Sequence, residues 1–284
     1  MSNPLLSIAA LAARLTPVPL KRALYRSGPL ARLIRSGLNR AAPRGLTRVQ
    51  VAGGELQGAT LLLDLQEEKD YWLGTYEPDL QAALLQFVRP GMVAYDVGAN
   101  IGYISLLLAK AVGESGQVYA FEALPANIDR LRANLALNGL ETRVQVVEAA
   151  VTNQSAPTQF LIGPSGGMGK AAGSAGRQGE YDQSITINGL ALDDFVFGQR
   201  HPLPHIIKID IEGGEVLALP GMRRLLRQAR PFLLLELHGA EAAQVAWDEL
   251  TNSGYLICRM ETGYPLLNSA AEMDWKAYVI AKPE

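Results

Sequence analysis

From residue 93 onward, short apolar runs alternate with longer amphipathic stretches. Residues 93–96 read as a strand, 102–112 as a helix, 117–121 as a strand, 125–138 as a helix and 143–148 as a third strand. Short apolar runs bounded by turn residues fit buried strands, and apolar residues three or four apart fit a helix face. Pro125 stands where a helix tolerates proline, and Asn138-Gly139 is a stop signal. The alternation resumes with a strand from Ile206, a helix over 214–229, a strand over 232–238 and a helix over 240–252. Runs at 254–260 and 275–281, separated by a polar loop, predict a closing antiparallel pair. The whole pattern predicts an α/β fold built on a doubly wound, mostly parallel sheet.

The preceding chain is less regular. Residues 47–52 and 58–64 flank Gly53-Gly54 and predict a β-hairpin. Residues 71–78 read as an aromatic loop, and Leu80–Val88 as a helix ended by Pro90-Gly91. Residues 163–179 hold seven glycines in seventeen positions, which predicts a flexible surface loop. Gly169-Lys170 does not complete a phosphate-binding loop, because Pro164 falls on the required first glycine and Ala171 replaces Ser or Thr.

Composition sets outer bounds. The chain has 284 residues, 48% hydrophobic and 19% charged, ample for a full core. The single Cys258 excludes an intramolecular disulfide, and three histidines with one cysteine show no zinc-ligand spacing. No apolar run reaches the roughly 18 residues of a membrane span. Residues 4–13 are too short to span and lack the preceding positive charge of a secretory signal, so a cytoplasmic location is the expectation.

Charge alters this picture at one end. The net charge is −2, yet residues 1–54 carry +9 and the remainder −11. Arg14, Lys21, Arg22, Arg26, Arg32 and Arg35 interleave with leucines. Two readings stay open: a basic amphipathic segment that touches an anionic membrane surface or an acidic carrier protein, or two short helices with their arginines in solvent. Pro17, Pro19 and Pro29 exclude one long surface helix. No nucleic-acid partner is expected.

Two constellations carry candidate chemistry. The strand at 93–96 runs into Asp96-Val-Gly98-Ala99-Asn100-Ile-Gly102. A tight glycine-bearing turn lets backbone approach a ligand and leaves free N–H groups at the helix start. It is not the dinucleotide pattern Gly-x-Gly-x-x-Gly, because Asn100 stands at the second glycine, which disfavours a dehydrogenase. The next strand ends in Glu122, about one helix later, where a carboxylate can accept hydrogen bonds from both hydroxyls of a ribose.

The second constellation is Ile206–Gly213, with Lys208, Asp210 and Glu212 sharing one face at the end of an apolar strand. Ionisable groups there are costly unless paired or near a ligand. Glu236 and His238 share a face of the next strand, with His238 at its end. Ligands of open α/β sheets bind beyond the carboxyl ends of the strands, so Asp210, Glu212 and His238 are the catalytic candidates. A structural ion pair at Lys208 and a satisfied structural histidine are the alternatives.

These residues resemble the FkbM family of S-adenosylmethionine-dependent methyltransferases. The resemblance covers roughly residues 70–260. It rests on Asp96–Tyr103, on Phe121-Glu122 with Pro125 and Asn127, on Ile207–Gly213 with Glu215, and on Glu236-Leu-His238. Ala123 and Gly214 depart from the family pattern, where proline and alanine are commoner. The resemblance implies a Rossmann-like, seven-stranded sheet with an antiparallel last strand, and S-adenosyl-L-methionine as cofactor. It implies methyl transfer mostly to a hydroxyl oxygen of a sugar, polyketide or other secondary metabolite, as a small molecule or glycan.

On this basis Asp96, Gly98, Ala99, Asn100, Gly102, Glu122, Glu148 and Ala149 are the cofactor-binding candidates, the last two at the adenine edge. His238 is the expected base, with a pKa near neutral by default, and Asp210 and Glu212 orient it or the substrate. No metal is required, although clustered carboxylates can hold Mg²⁺ with waters. Residues 1–46 are then a basic helical extension and 47–284 the methyltransferase domain. The rival reading is a non-catalytic S-adenosylmethionine-binding or interaction module docked through its basic N-terminus.

Overall fold

The computed structural model describes residues 4–16, 28–163, 168–177, 179, 181 and 183–284. Lys21, Arg22 and Arg26 of the basic segment lie outside the described residues, as do Pro17, Pro19 and Pro164. The chain divides into two compact units, Met1–Ala82 with Ala133–Leu140, and Ala83–Arg132 with Glu141–Glu284.

In the first unit Arg14 lies on helix α1 (Pro4–Leu15), and Arg32, Arg35 and Arg40 lie on α2 (Gly28–Ala41). Leu6, Ala13 and Leu38 are buried, whereas Arg14, Arg32 and Arg40 are exposed. Strands β1 (Leu46–Gln50) and β2 (Thr60–Asp64) form the antiparallel hairpin that the pattern predicts, with Arg48 opposite Leu62. Asparagine side chains satisfy the free backbone of β2. Asn138 accepts from Thr60 N at 3.0 Å and donates to its carbonyl at 2.8 Å, while Asn134 accepts from Leu62 N at 2.7 Å. Edge-strand donors need such partners. Part of the expected aromatic loop is instead a short helix, α3 (Lys69–Leu73), ended by Gly74 at a left-handed φ of 69°. A side chain at Gly74 would strike the Gly53 carbonyl at 1.9 Å, so only glycine permits this approach. Helix α4 (Pro78–Phe87) follows.

The second unit is built on seven strands. These are β3 (Val93–Val97), β4 (Gln117–Glu122), β5 (Val144–Glu148), β10 (Ile206–Ile209), β11 (Phe232–His238), β12 (Tyr255–Arg259) and β13 (Lys276–Pro283), with four intervening strands in a second sheet. Their spatial order is β12-β13-β11-β10-β3-β4-β5. All pairs are parallel except those made by β13, which runs antiparallel to both β11 and β12. The expected doubly wound sheet with its antiparallel last strand is therefore present. Helices α5 (Tyr103–Val112), α6 (Pro125–Ala136) and α9 (Ala240–Thr251) link the strands.

One core runs under the sheet. Val97, Phe121, Ile207, Ile209, Leu233, Leu235 and Leu237 pack with Leu225, Leu226, Ala242, Ala246 and Leu250. Each fully buried aliphatic side chain contributes about 1.5–3 kcal/mol. The chain winds outward from β3 to β5, then crosses back to β10 and β11. The direction reverses between β3 and β10, and the crevice beyond such a switch point is where ligands bind.

The structure departs from the sequence pattern in two places. The helix expected over 214–229 is broken into α7 (Glu215–Ala218), a 3₁₀ turn (Pro220–Met222) and α8 (Arg223–Gln228). Pro220 has no N–H for the helix ladder and its ring crowds the preceding turn. Strands between positions 150 and 190 form a second sheet that hydrophobic periodicity did not reveal. It consists of β6 (Ala150–Val151), β7 (Pro157–Ile162), β8 (Gly169–Ala171) and β9 (Gln183–Leu190) in the order β6-β9-β7-β8. Strand β8 lies inside the glycine-rich stretch that was expected to hold no packed element. Its Gly169 sits where a Cβ would strike the Phe160 ring at 2.4 Å, so glycine is what lets β8 close on β7.

Candidate active site

The turn after β3 is fixed from below and from the side. Asp96 has no exposed surface, and its Oδ2 accepts from Ser105 Oγ at 2.6 Å. Lys208, opposite Asp96 in the β10–β3 register, places Nζ 3.3 Å from Asp96 Oδ1 and donates to the Gly98 carbonyl at 2.9 Å. The buried ammonium thus joins the strand-end carboxylate to the turn backbone. The backbone N–H groups of Gly98 and Ala99 donate to the Phe121 carbonyl at 3.0 and 2.9 Å. Gly98, Asn100 and Gly102 all have positive φ, at 79°, 50° and 91°.

Glu122, at the end of β4, is buried and tied to this turn. Its Oε2 accepts from Asn100 N at 2.8 Å, and its Oε1 accepts from Ala123 N at 3.0 Å and Leu124 N at 2.8 Å. Burial raises its pKa above the ordinary carboxylate value, and these backbone donors offset the shift only in part. Glu148, its register partner on β5, is exposed and pairs with Arg132. Ala149 is buried and donates its N–H to the Glu122 carbonyl at 3.1 Å.

Beyond β10 and β11 the polar side chains converge. His238 Nε2 lies 2.9 Å from Glu236 Oε1 and 3.7 Å from Glu212 Oε2, while its Nδ1 lies 3.7 Å from Glu215 Oε1. Lys276 pairs with the same Glu236 oxygen. Glu215 Oε1 accepts from Ile211 N at 3.1 Å, which fastens the start of α7 to the strand end. Lys208 Nζ is also 3.9 Å from Asp210 Oδ2. Burial lowers the His238 pKa, but Glu215, Glu236 and Asp210 outweigh it and raise the value to about 10. Burial pushes Asp210 up to about 7 despite Lys208. Glu236 is pulled down to about 2 by His238 and Lys276 in spite of its burial.

A model of the methyltransferase FkbM domain matches residues 96–257, from the Asp96 turn to β12. The chain belongs to the FkbM methyltransferase family. Among curated relatives it is 28% identical over 162 residues to the hexuronic acid methyltransferase AglP of Haloferax volcanii, a match covering 57% of this chain and 62% of that protein. It is 40% identical over 72 residues to protein-L-isoaspartate O-methyltransferase of Aeropyrum pernix, covering 25% of this chain and 28% of that protein. The chain thus spans less than two thirds of the curated relatives it matches. Among solved structures, methyltransferase FkbM from Methylobacillus flagellatus shares 18% identity at a TM-score of 0.43, covering 77% of this chain and 53% of that one. An S-adenosylmethionine-dependent O-methyltransferase from Thermotoga maritima shares 15% identity at 0.46, covering 89% and 81%.

The cofactor of this methyltransferase family is S-adenosyl-L-methionine, and the donor set of this chain suits it. A carboxylate able to take ribose hydroxyls, Glu122, stands beside the glycine turn at the sheet's switch point, although the N–H groups of Gly98, Ala99, Asn100 and Gly102, expected to be free, are held within the protein. Not every candidate residue faces that site. The Asp96 carboxylate is wholly buried and engaged by Ser105 and Lys208, so it supports the FkbM turn from beneath. Glu148 turns to Arg132 at the surface. His238 does meet Glu212, as the strand-end spacing suggests, but its pKa moves away from neutrality rather than staying there.

Several site residues were not singled out from the sequence. Glu215 entered only as part of the family pattern, yet it is fully buried against His238. Its signal is the sixth place of Asp210-x-Glu-Gly-x-Glu, a carboxylate opening a helix just past a strand end. Trp275, half exposed, lies edge-on to His238 with ring centres 6.2 Å apart, and Arg177 lies 5.9 Å from its ring. The glycine-rich segment reaches the same place. Ala175 N donates to the Gly213 carbonyl at 3.0 Å, and Lys170 holds the carbonyls of Ala175 and Arg177 at 2.9 and 3.0 Å. Neither contact has a signature in sequence spacing.

Proposed function

We propose that this chain transfers a methyl group from S-adenosyl-L-methionine to an oxygen of a sugar-like small molecule. The observation that carries the reading is the convergence of Asp210, Glu212 and His238 at neighbouring strand ends, next to the Gly98–Gly102 turn. The turn backbone from Gly98 to Gly102 and the Glu122 carboxylate would hold the cofactor, with Ala149 beyond β5. When bound, it supplies a methyl group already activated on a sulfonium.

The protein's share of the work is then alignment and proton removal. Glu212 is the most exposed carboxylate of the cluster, its side chain 39% exposed, and is our candidate to receive the acceptor's hydroxyl proton. Its φ of 55° is the strained backbone that aims it. His238 is buried between Glu212, Glu215 and Glu236 and positions Glu212. Trp275 offers an apolar wall against which a pyranose ring can lie, and Arg177 adds a positive charge beside it. The name of the Haloferax relative, a hexuronic acid methyltransferase, supports a sugar acid as the first acceptor to try.

The test is an isotope-transfer assay with labelled S-adenosyl-L-methionine against hexuronic acids, neutral hexoses and their glycosides. Label in a sugar product, lost in Glu212→Gln, is the expected result. Cofactor binding by calorimetry without transfer to any hydroxyl or carboxyl acceptor would overturn the reading in favour of a binding module.

A further inference from the structure

We propose that Asp210, Glu236 and His238 form a binding site for a divalent transition-metal cation, with Mn²⁺ as the representative ion. One ligand atom from each residue lies within 4.8 Å of the other two. His238 Nε2 and Glu236 Oε1 are 2.9 Å apart, and neighbouring ligands about 2.1 Å from an ion sit about 3 Å apart.

A second observation is independent of that clustering. Glu236 Oε2, the second oxygen of a carboxylate in the cluster, is a buried atom with no hydrogen-bond partner. Glu236 is only 5% exposed. Buried carboxylate oxygens without partners are costly, and native proteins satisfy nearly all of them. A cation held by the Glu236 carboxylate removes that cost. Charge favours the same outcome, since Asp210, Glu212, Glu215 and Glu236 face His238, Lys276 and a Lys208 that also serves Asp96.

The donor chemistry selects the ion. One imidazole nitrogen with carboxylate oxygens suits Mn²⁺, Fe²⁺, Co²⁺ or Zn²⁺ better than an all-oxygen preference such as that of Ca²⁺. Asp210 is the partly exposed member, so open coordination positions lie on its side of the cluster. There an ion can take an acceptor oxygen and ease loss of its proton. That use rests on the acceptor reading above, whereas binding of the ion does not. Lys276 already pairs with Glu236 Oε1, so it competes with the ion for that oxygen.

The full chain, without cofactor or acceptor, is titrated with MnCl₂ while the free-ion electron paramagnetic resonance signal is followed. One saturable ion per chain is expected. His238→Ala and Glu236→Gln should each weaken it at least about tenfold, in line with the sensitivity of metal sites to ligand loss. Asp210→Asn, at the partly exposed position, is the variant least exposed to misfolding and should weaken it as well. Lys276→Met should tighten it by removing the competing cation, an effect that a purely structural ion pair does not produce. Thermal melts followed by circular dichroism confirm that each variant is folded. Wild-type protein that takes up no Mn²⁺ by about 1 mM, the weak end of protein sites for divalent ions, overturns the proposal. So does equal uptake by wild type, Glu236→Gln and Asp210→Asn. The readout is independent of methyl transfer, so failure of the acceptor reading and failure of the ion site are told apart.

Discussion

Lys208 lies on β10 and Gly98 in the turn that follows the neighbouring β3, and the lysine ammonium donates to the glycine carbonyl at 2.9 Å. The same ammonium faces Asp96 at 3.3 Å, with both side chains almost wholly buried. A buried pair of this kind costs much to desolvate, and losing one member is worse than losing both. Lys208→Met should destabilise the chain by about 3–5 kcal/mol in urea denaturation, and adding Asp96→Asn should recover part of that loss. A single variant as stable as wild type would show that the pair does not hold the turn.

Gly98 itself cannot carry a side chain. Its φ is 79°, and a Cβ would come within 1.9 Å of the Asp210 carbonyl. Gly98→Ala is expected to cost about 2 kcal/mol or more, because the strained φ and the clash with backbone add. Since the clash pushes β3 and β10 apart, cofactor affinity measured by calorimetry should fall in the same variant. The control is Gly139→Ala, in a turn with no atom within 4 Å of the added carbon, which should leave cofactor affinity unchanged.

Glu122 gives cofactor binding a pH dependence with a definite sign. Burial raises its pKa, so the charged form that accepts ribose hydroxyls is lost on acidification earlier than for an ordinary carboxylate. Affinity for S-adenosyl-L-homocysteine should therefore decline as pH falls, with a midpoint above the usual carboxylate range. Glu122→Gln should flatten that limb, and Glu122→Ala should cost about 1.5–3 kcal/mol of binding at neutral pH. A wild-type affinity that stays level as pH is lowered would remove Glu122 from the ribose.

For turnover, His238→Ala should lower kcat by about 10²–10⁴-fold while cofactor affinity survives, because it disturbs the acid–base residues and not the Gly98 turn. Trp275→Ala should act differently, raising KM for the acceptor about tenfold with a smaller change in kcat, as loss of an apolar wall predicts. Steady-state kinetics on the acceptor identified by the transfer assay separates the two. A Trp275→Ala enzyme with unchanged KM would take the indole out of the acceptor site.

The sequence by itself determined the order and kind of the main strands, the turn at Gly98–Gly102 and the strand-end acids. Those features are local. A run such as Ile206-Ile-Lys-Ile209 is buried on both faces wherever it sits, and a glycine turn announces itself by residue type. Strand-end position was enough to bring forward Asp210, Glu212 and His238. Tertiary structure decided what each charge meets. Asp96 and Lys208 are 112 positions apart in the chain, and only the β3–β10 register places them opposite one another. The same holds for Lys276 with Glu236, joined by the antiparallel β11–β13 pairing, and for the glycine-rich segment beside Gly213. The His238 pKa shows the consequence. Its direction is set by three carboxylates from a strand, the turn after another strand and a helix, an electrostatic sum over distances of a few ångströms that no linear spacing encodes.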